Sequence, residues 1–60
     1  MQQPIPIERG QLRLARIDGS FQPVVVVRPM ASNPNRWICH PPGKATIYVV
    51  AVRNFRDLLR

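Results

Sequence analysis

Eight arginines and one lysine are spread along 60 residues against three carboxylates, a formal net charge of +6. Guanidinium groups are the side chains here best suited to recognition. Their planar forks match phosphates and carboxylates with two hydrogen bonds at once, and they stack on base or aromatic faces. Arg13, Arg28, Arg36, Lys44, Arg53 and Arg56 flank or interrupt apolar runs, and Arg60 closes the tail. Together with the rings of Trp37 and Tyr48 they make the candidate set for binding a nucleic acid, DNA or RNA, by phosphate neutralisation with some stacking. Each ring also has a structural reading, as filler for the core of a small domain.

Catalytic chemistry finds less to work with. Glu8, Asp18 and Asp57 are the only carboxylates. Asp18 belongs to a turn with Gly19, and Asp57 is spaced to pair with Arg53 or Arg60 on a helix. No acid pair is left for general acid–base work or for Mg²⁺. Cys39 and His40 are adjacent, and neighbours on a strand face opposite ways, so they do not form a nucleophile and its base. Cys39 reads instead as a small buried apolar residue. A single Cys and a single His allow neither an internal disulfide nor a zinc set. Gly10, Gly19 and Gly43 stand alone and form no phosphate loop. No catalytic residue, metal ligand or cofactor is assigned, and the expectation is a protein that is not an enzyme.

The elements that must carry these residues are strands. Sixty residues form one domain, with residues 1–8 as an extended N-terminal arm: Pro4 and Pro6 hold the residues before them out of helix, and Ile5 and Ile7 suit an edge. Gln11 to Ile17 alternates, with Leu12 and Leu14 expected inward and a bulge expected near Arg16-Ile17. Asp18-Gly19 turns the chain into Ser20–Met30, where Pro23 marks an edge or bulge. Val24 to Val27 is apolar on both faces, which suits a doubly covered strand or an oligomer interface. After a turn at Ser32–Asn35 come a third strand, Arg36 to His40, and a fourth, Ala45 to Val50, joined by Pro41-Pro42-Gly43-Lys44. From Val52 the spacing of Val52, Phe55, Leu58 and Leu59 predicts a helix, with a 3₁₀ turn followed by a closing strand as the competitor. The resulting fold class is all-β, a small SH3-like partly open barrel of four to five antiparallel strands ending in a short C-terminal helix or 3₁₀ turn.

Size and location follow from the same composition. A chain this short buries only ~60% of the surface it exposes when unfolded, so its core is marginal. Without a disulfide or a metal, self-association is the remaining device, and a homo-oligomer is expected. The first charge is an acid, Glu8, with no apolar run after it, and no stretch approaches the ~20 apolar residues of a membrane span. The expectation is a cytoplasmic protein without a membrane partner.

Arg9-Gly10-Gln11-Leu12-Arg13, Gly19, Phe21 to Val26, Pro42-Gly43 and Ile47-Tyr48-Val49-Val50-Ala51 follow one another in an order that resembles SH3-like barrels. In element order the chain is similar to the plasmid-borne type II dihydrofolate reductases, which carry a Pro-Gly turn, an Ile-Tyr pair and a 3₁₀ turn before the last strand. The resemblance implies a barrel and, from that family's tetramer around one pore, association of subunits. Thr46 stands where that family has the glutamine of its substrate strand, and its pore lysine has no counterpart. What is carried over is therefore shape and association, not folate chemistry. Three functional readings remain in order: a basic nucleic-acid-binding protein, an adaptor or inhibitor docking on an acidic protein as a phage or plasmid accessory factor would, and an oligomeric pore enzyme of the reductase type.

Overall fold

The computed structural model describes residues 6–59. Its strands are β1 (Leu12–Ile17), β2 (Ser20–Pro29), β3 (Arg36–His40), β4 (Tyr48–Ala51) and β5 (Phe55–Leu58), with a 3₁₀ turn at Val52–Asn54 between the last two. They form one antiparallel sheet in the order β4-β3-β2-β1-β5. The all-β class holds, and no helix of four residues or more occurs among the described residues. The sheet is not closed, since no pairing joins β4 to β5.

The first hairpin follows from two residues. Asp18 and Gly19 both take positive φ, 52° and 80°, which is what a two-residue turn matched to strand twist requires. The register is then fixed from Ile17 opposite Ser20 up to Leu12 opposite Val25, without a break. No bulge sits at Arg16-Ile17. The irregularities lie elsewhere, between Val26 and Arg28 where β2 pairs with β3, and between Arg13 and Ala15 where β1 pairs with β5. A bulge bends a strand and strengthens its twist. That lets the ten-residue β2 pair with β1 along its first half and with β3 along its second. Pro23 lies before the stretch paired to β3, where its missing N–H leaves no gap.

Strand neighbours stand ~4.8 Å apart, so in a flat sheet β4 would lie ~14 Å from β1. The two strands nevertheless approach to within 8 Å, measured between backbone Cα atoms, which requires the sheet to curl. The core fills the inside of that curl: Ala15, Ile17, Val24, Val26, Cys39, Val50 and Phe55, with Ile7, Trp37 and Tyr48 packed against it.

The inward face of β1 is the reverse of the sequence expectation. Arg13, Ala15 and Ile17 are buried, while Leu12 and Leu14 are half-buried on the outer face. The reason is that Arg13 has partners inside. Its Nε donates to Gln11 Oε1 (2.8 Å) and its Nη2 to the Pro6 carbonyl (2.9 Å), and a buried charge so bonded is tolerated. The described end of the N-terminal arm, Pro6 to Glu8, forms no strand. Ile7 packs on the core, whereas Ile5 lies outside the described residues.

The tail is the competitor form, a 3₁₀ turn followed by a closing strand, and not the helix that its spacing favours. Phe55 pairs with Ala15 and is buried, and β5 covers the open edge of β1. An uncovered edge leaves a row of unpaired backbone groups, and satisfying them outweighs the weak preference of a few residues for a helical turn. Asp57 therefore has no helical spacing to Arg53, and Arg60 lies outside the described residues. The fourth strand starts later than expected, at Tyr48, because residues 44–47 carry no regular structure.

Candidate functional site

The register of the first hairpin sets Arg16 directly across from Phe21. Phe21 is 48% exposed, unusual for a phenylalanine in a domain short of core. Arg56, at the start of β5, lays its guanidinium over that ring, 5.3 Å from Cζ to the centroid, within the range of a cation–π contact. Its Nη1 donates to the carbonyls of Arg53 (2.9 Å) and Phe55 (3.2 Å). The fork is thus held in place by backbone and ring together, and most of its five N–H donors remain unused.

Further arginines continue from this cluster. Arg53 lies in the 3₁₀ turn just after Ala51, and Ala51 is the cross-strand partner of Arg36. The Val52 N–H donates to the Asn35 carbonyl (2.8 Å), tying the turn to the loop before β3. Arg28 is opposite Ile38, which shares a face with Arg36, so Arg28 and Arg36 are diagonal neighbours ~7–8 Å apart. Arg28, Arg36, Arg53, Arg56 and Arg16 are all exposed, on β2, β3, the 3₁₀ turn, β5 and β1 in turn. Among the described residues no carboxylate engages any of these five.

The other sequence candidates are placed differently. Arg13 is 5% exposed and serves the N-terminal arm. Lys44 is exposed but sits in the Pro41–Lys44 turn, at the far end of β3 from Arg36. Trp37 and Tyr48 are half-buried against the core, opposite Val50 and Cys39 on the inner face. The ring available at the surface is Phe21, which composition and spacing did not single out, nor did they single out Arg16. A signal for that pair exists: a two-residue turn at Asp18-Gly19 sets residue 16 against residue 21. The arrival of Arg56 had no such local signal.

Cys39 is fully buried, and its thiol is pushed up from the ordinary 9.0 to about 11 because burial penalises the thiolate. His40 lies on the opposite face, and its Nδ1 donates to the Pro41 carbonyl (2.9 Å). Among the described residues no three of His, Cys, Asp and Glu come together as metal ligands, and no helix is long and apolar enough to cross a membrane. Comparison with protein-family models, with curated proteins and with solved structures gave no match.

Proposed function

We propose that this chain binds nucleic acid, holding phosphates on the band formed by Arg28, Arg36, Arg53, Arg56 and Arg16. The observation that carries the reading is the exposed Phe21 ring under the anchored Arg56 guanidinium, in a band of cations that no carboxylate among the described residues engages. A surface serving only solubility gains nothing from exposing an aromatic ring or from immobilising a guanidinium. A guanidinium already fixed by two carbonyls loses little further freedom when a phosphate arrives. Base specificity is low in this reading, because phosphate contacts carry no sequence information.

Titration of labelled DNA and RNA oligonucleotides over a range of salt tests it. Each phosphate contact contributes about −0.7 (single strand) to −0.9 (duplex) to the slope of log affinity against log salt. Engagement of the five arginines gives a slope of roughly −3.5 to −4.5. Arg56→Ala weakens binding and makes the slope shallower by a little under one unit, Phe21→Ala weakens it too, and Lys44→Ala changes it little. Affinity independent of salt, or equal losses in Arg56→Ala and Lys44→Ala, overturns the proposal.

A second reading concerns the outer face of the sheet. The row Leu12–Val25–His40 crosses its middle and the pair Ile38–Val49 continues it to the β4 edge, with Val27 37% and Val49 48% exposed. The first row contains no Lys, Arg, Asp or Glu, while Arg28 lies opposite Ile38, so two copies can bring the apolar side chains together if the exposed Arg28 keeps its guanidinium at the rim. This favours association with a second copy, which gives a small core the added burial it lacks.

A further inference from the structure

Beside the arginine band lies an open groove of about 330 Å³ lined by Asn35, Ala51, Val52 and Arg53. We infer that this groove receives one unpaired nucleobase of a single strand, with the Asn35 carboxamide on the base edge and Arg53 on the adjoining phosphate. The inference deepens the nucleic-acid reading and rests on it.

The loop before β3 is held without the Asn35 side chain. Asn33 Oδ1 accepts from the Asn35 N–H (3.1 Å), the Arg36 N–H donates to the Asn33 carbonyl (3.0 Å), and the Met30 N–H donates to the Arg36 carbonyl (2.8 Å). The backbone of Asn35 is fixed a second time, by the bond from Val52 to its carbonyl. Its carboxamide makes no hydrogen bond among the described residues. The result is a donor and an acceptor side by side on a rigid mount, the pair that meets two adjacent edge atoms of a base. Val52, 41% exposed, and Ala51 supply the apolar wall against which a flat ring packs.

Size and charge select the occupant. The volume is at the lower end of the ~300–1,000 Å³ typical of ligand pockets, enough for a base with part of its sugar. Arg53 lines the groove and Arg36 is the cross-strand partner of Ala51 in its wall, so both are near enough to meet the phosphates that flank such a base. A paired base is stacked within its duplex and cannot enter, so the groove distinguishes single from double strands.

The test measures binding of the full chain to a short labelled single strand, an abasic strand of equal length and charge, and a duplex, with DNA and RNA versions of the base-bearing strand. The base-bearing strand is expected to bind about ten-fold tighter than the abasic one, the span given by one stacked base. Asn35→Ala lowers affinity for it by about five-fold or more, the range of a lost two-point contact, and leaves abasic binding unchanged. Val52→Ser does the same more weakly. Circular dichroism confirms that both exposed-site variants are folded. Base dependence with either sugar upholds the site, and a stronger effect with RNA adds a contact to the 2′-hydroxyl. If abasic and base-bearing strands bind alike, and Asn35→Ala matches the parent while Arg56→Ala is impaired, the groove site is wrong and the charge band stands. If the parent chain binds no strand at all, the nucleic-acid reading falls and the groove site with it.

Discussion

At the scale of single residues, the inside of this protein is set by two side chains that a hydrophobicity pattern misjudges. Arg13 is buried because the Pro6 carbonyl and Gln11 accept from it. Arg13→Ala removes a buried donor set and leaves those acceptors facing a void, a loss of about 2–3 kcal/mol. In a domain of this size thermal denaturation should then fall by roughly 10 °C or more. An unchanged melting temperature shows that the arm is not held by this guanidinium. Cys39 gives a second prediction, in pH. Its thiol ionises at about 11 in the fold against 9.0 ordinarily, so the unfolded chain loses its proton first as pH rises. Below pH 9 both states are protonated and the group contributes no pH dependence. Between pH 9 and 11 stability falls by about 1.4 kcal/mol per unit. Other groups titrate there too, so the measurement is urea denaturation of the parent and Cys39→Ala across that window. The variant starts lower, from its cavity, and should decline less steeply; parallel curves refute the assignment.

At the scale of elements, the first hairpin was readable, while the last strand was readable only as the competitor to a helix. Asp18-Gly19 dictates a two-residue turn, and every pairing from Ile17–Ser20 to Leu12–Val25 follows from it. The third strand, Arg36 to His40, matches its sequence boundaries for a similar reason: turn-forming residues stand on both sides. The inward face of β1 failed to read because leucines outrank an arginine in any pattern, while the partner that makes Arg13 acceptable comes from the arm. The choice between the two tail forms could not be made because it is decided by the free edge of β1, which is remote in sequence. The spacing of Val52, Phe55, Leu58 and Leu59 suits a helix, yet only the strand form places Phe55 beside Ala15. The candidate site divides along the same line. Arg16 opposite Phe21 could be read from the turn, whereas Arg56 above the ring could not. The turn itself yields a test: an added Cβ at Gly19 meets nothing within 4 Å, so Gly19→Ala acts through the backbone alone. The left-handed conformation costs an alanine about 1–2 kcal/mol. Gly19→Asn should be milder, since asparagine tolerates positive φ. Equal melting of the glycine and alanine proteins shows that the turn is not strained by a side chain.

At the scale of the whole molecule, the charge band and the apolar outer face answer to salt with opposite signs, and this separates them. Nucleic-acid binding releases counterions from phosphates, so it weakens as salt rises. Two copies of a chain with net charge +6 repel each other, and salt screens that repulsion, with a Debye length of ~30 Å at 0.01 M and ~10 Å at 0.1 M. Burial of Val25, Ile38 and Val49 against their symmetry mates is not weakened by the same change. Sedimentation of the free chain should therefore show its average mass rising between low and moderate salt, while affinity for oligonucleotides falls across that interval. Val49→Lys, set at an exposed position on β4 beside Ile38, adds one charge per copy to a surface that must dehydrate. It should return the chain to monomer at every salt concentration and leave oligonucleotide affinity the same or slightly higher. A mass that stays monomeric throughout removes the second copy from the outer face. A mass that falls with salt points instead to charged contacts through Arg28 and Arg36, which border Ile38 on the same face, so that association and oligonucleotide binding would compete.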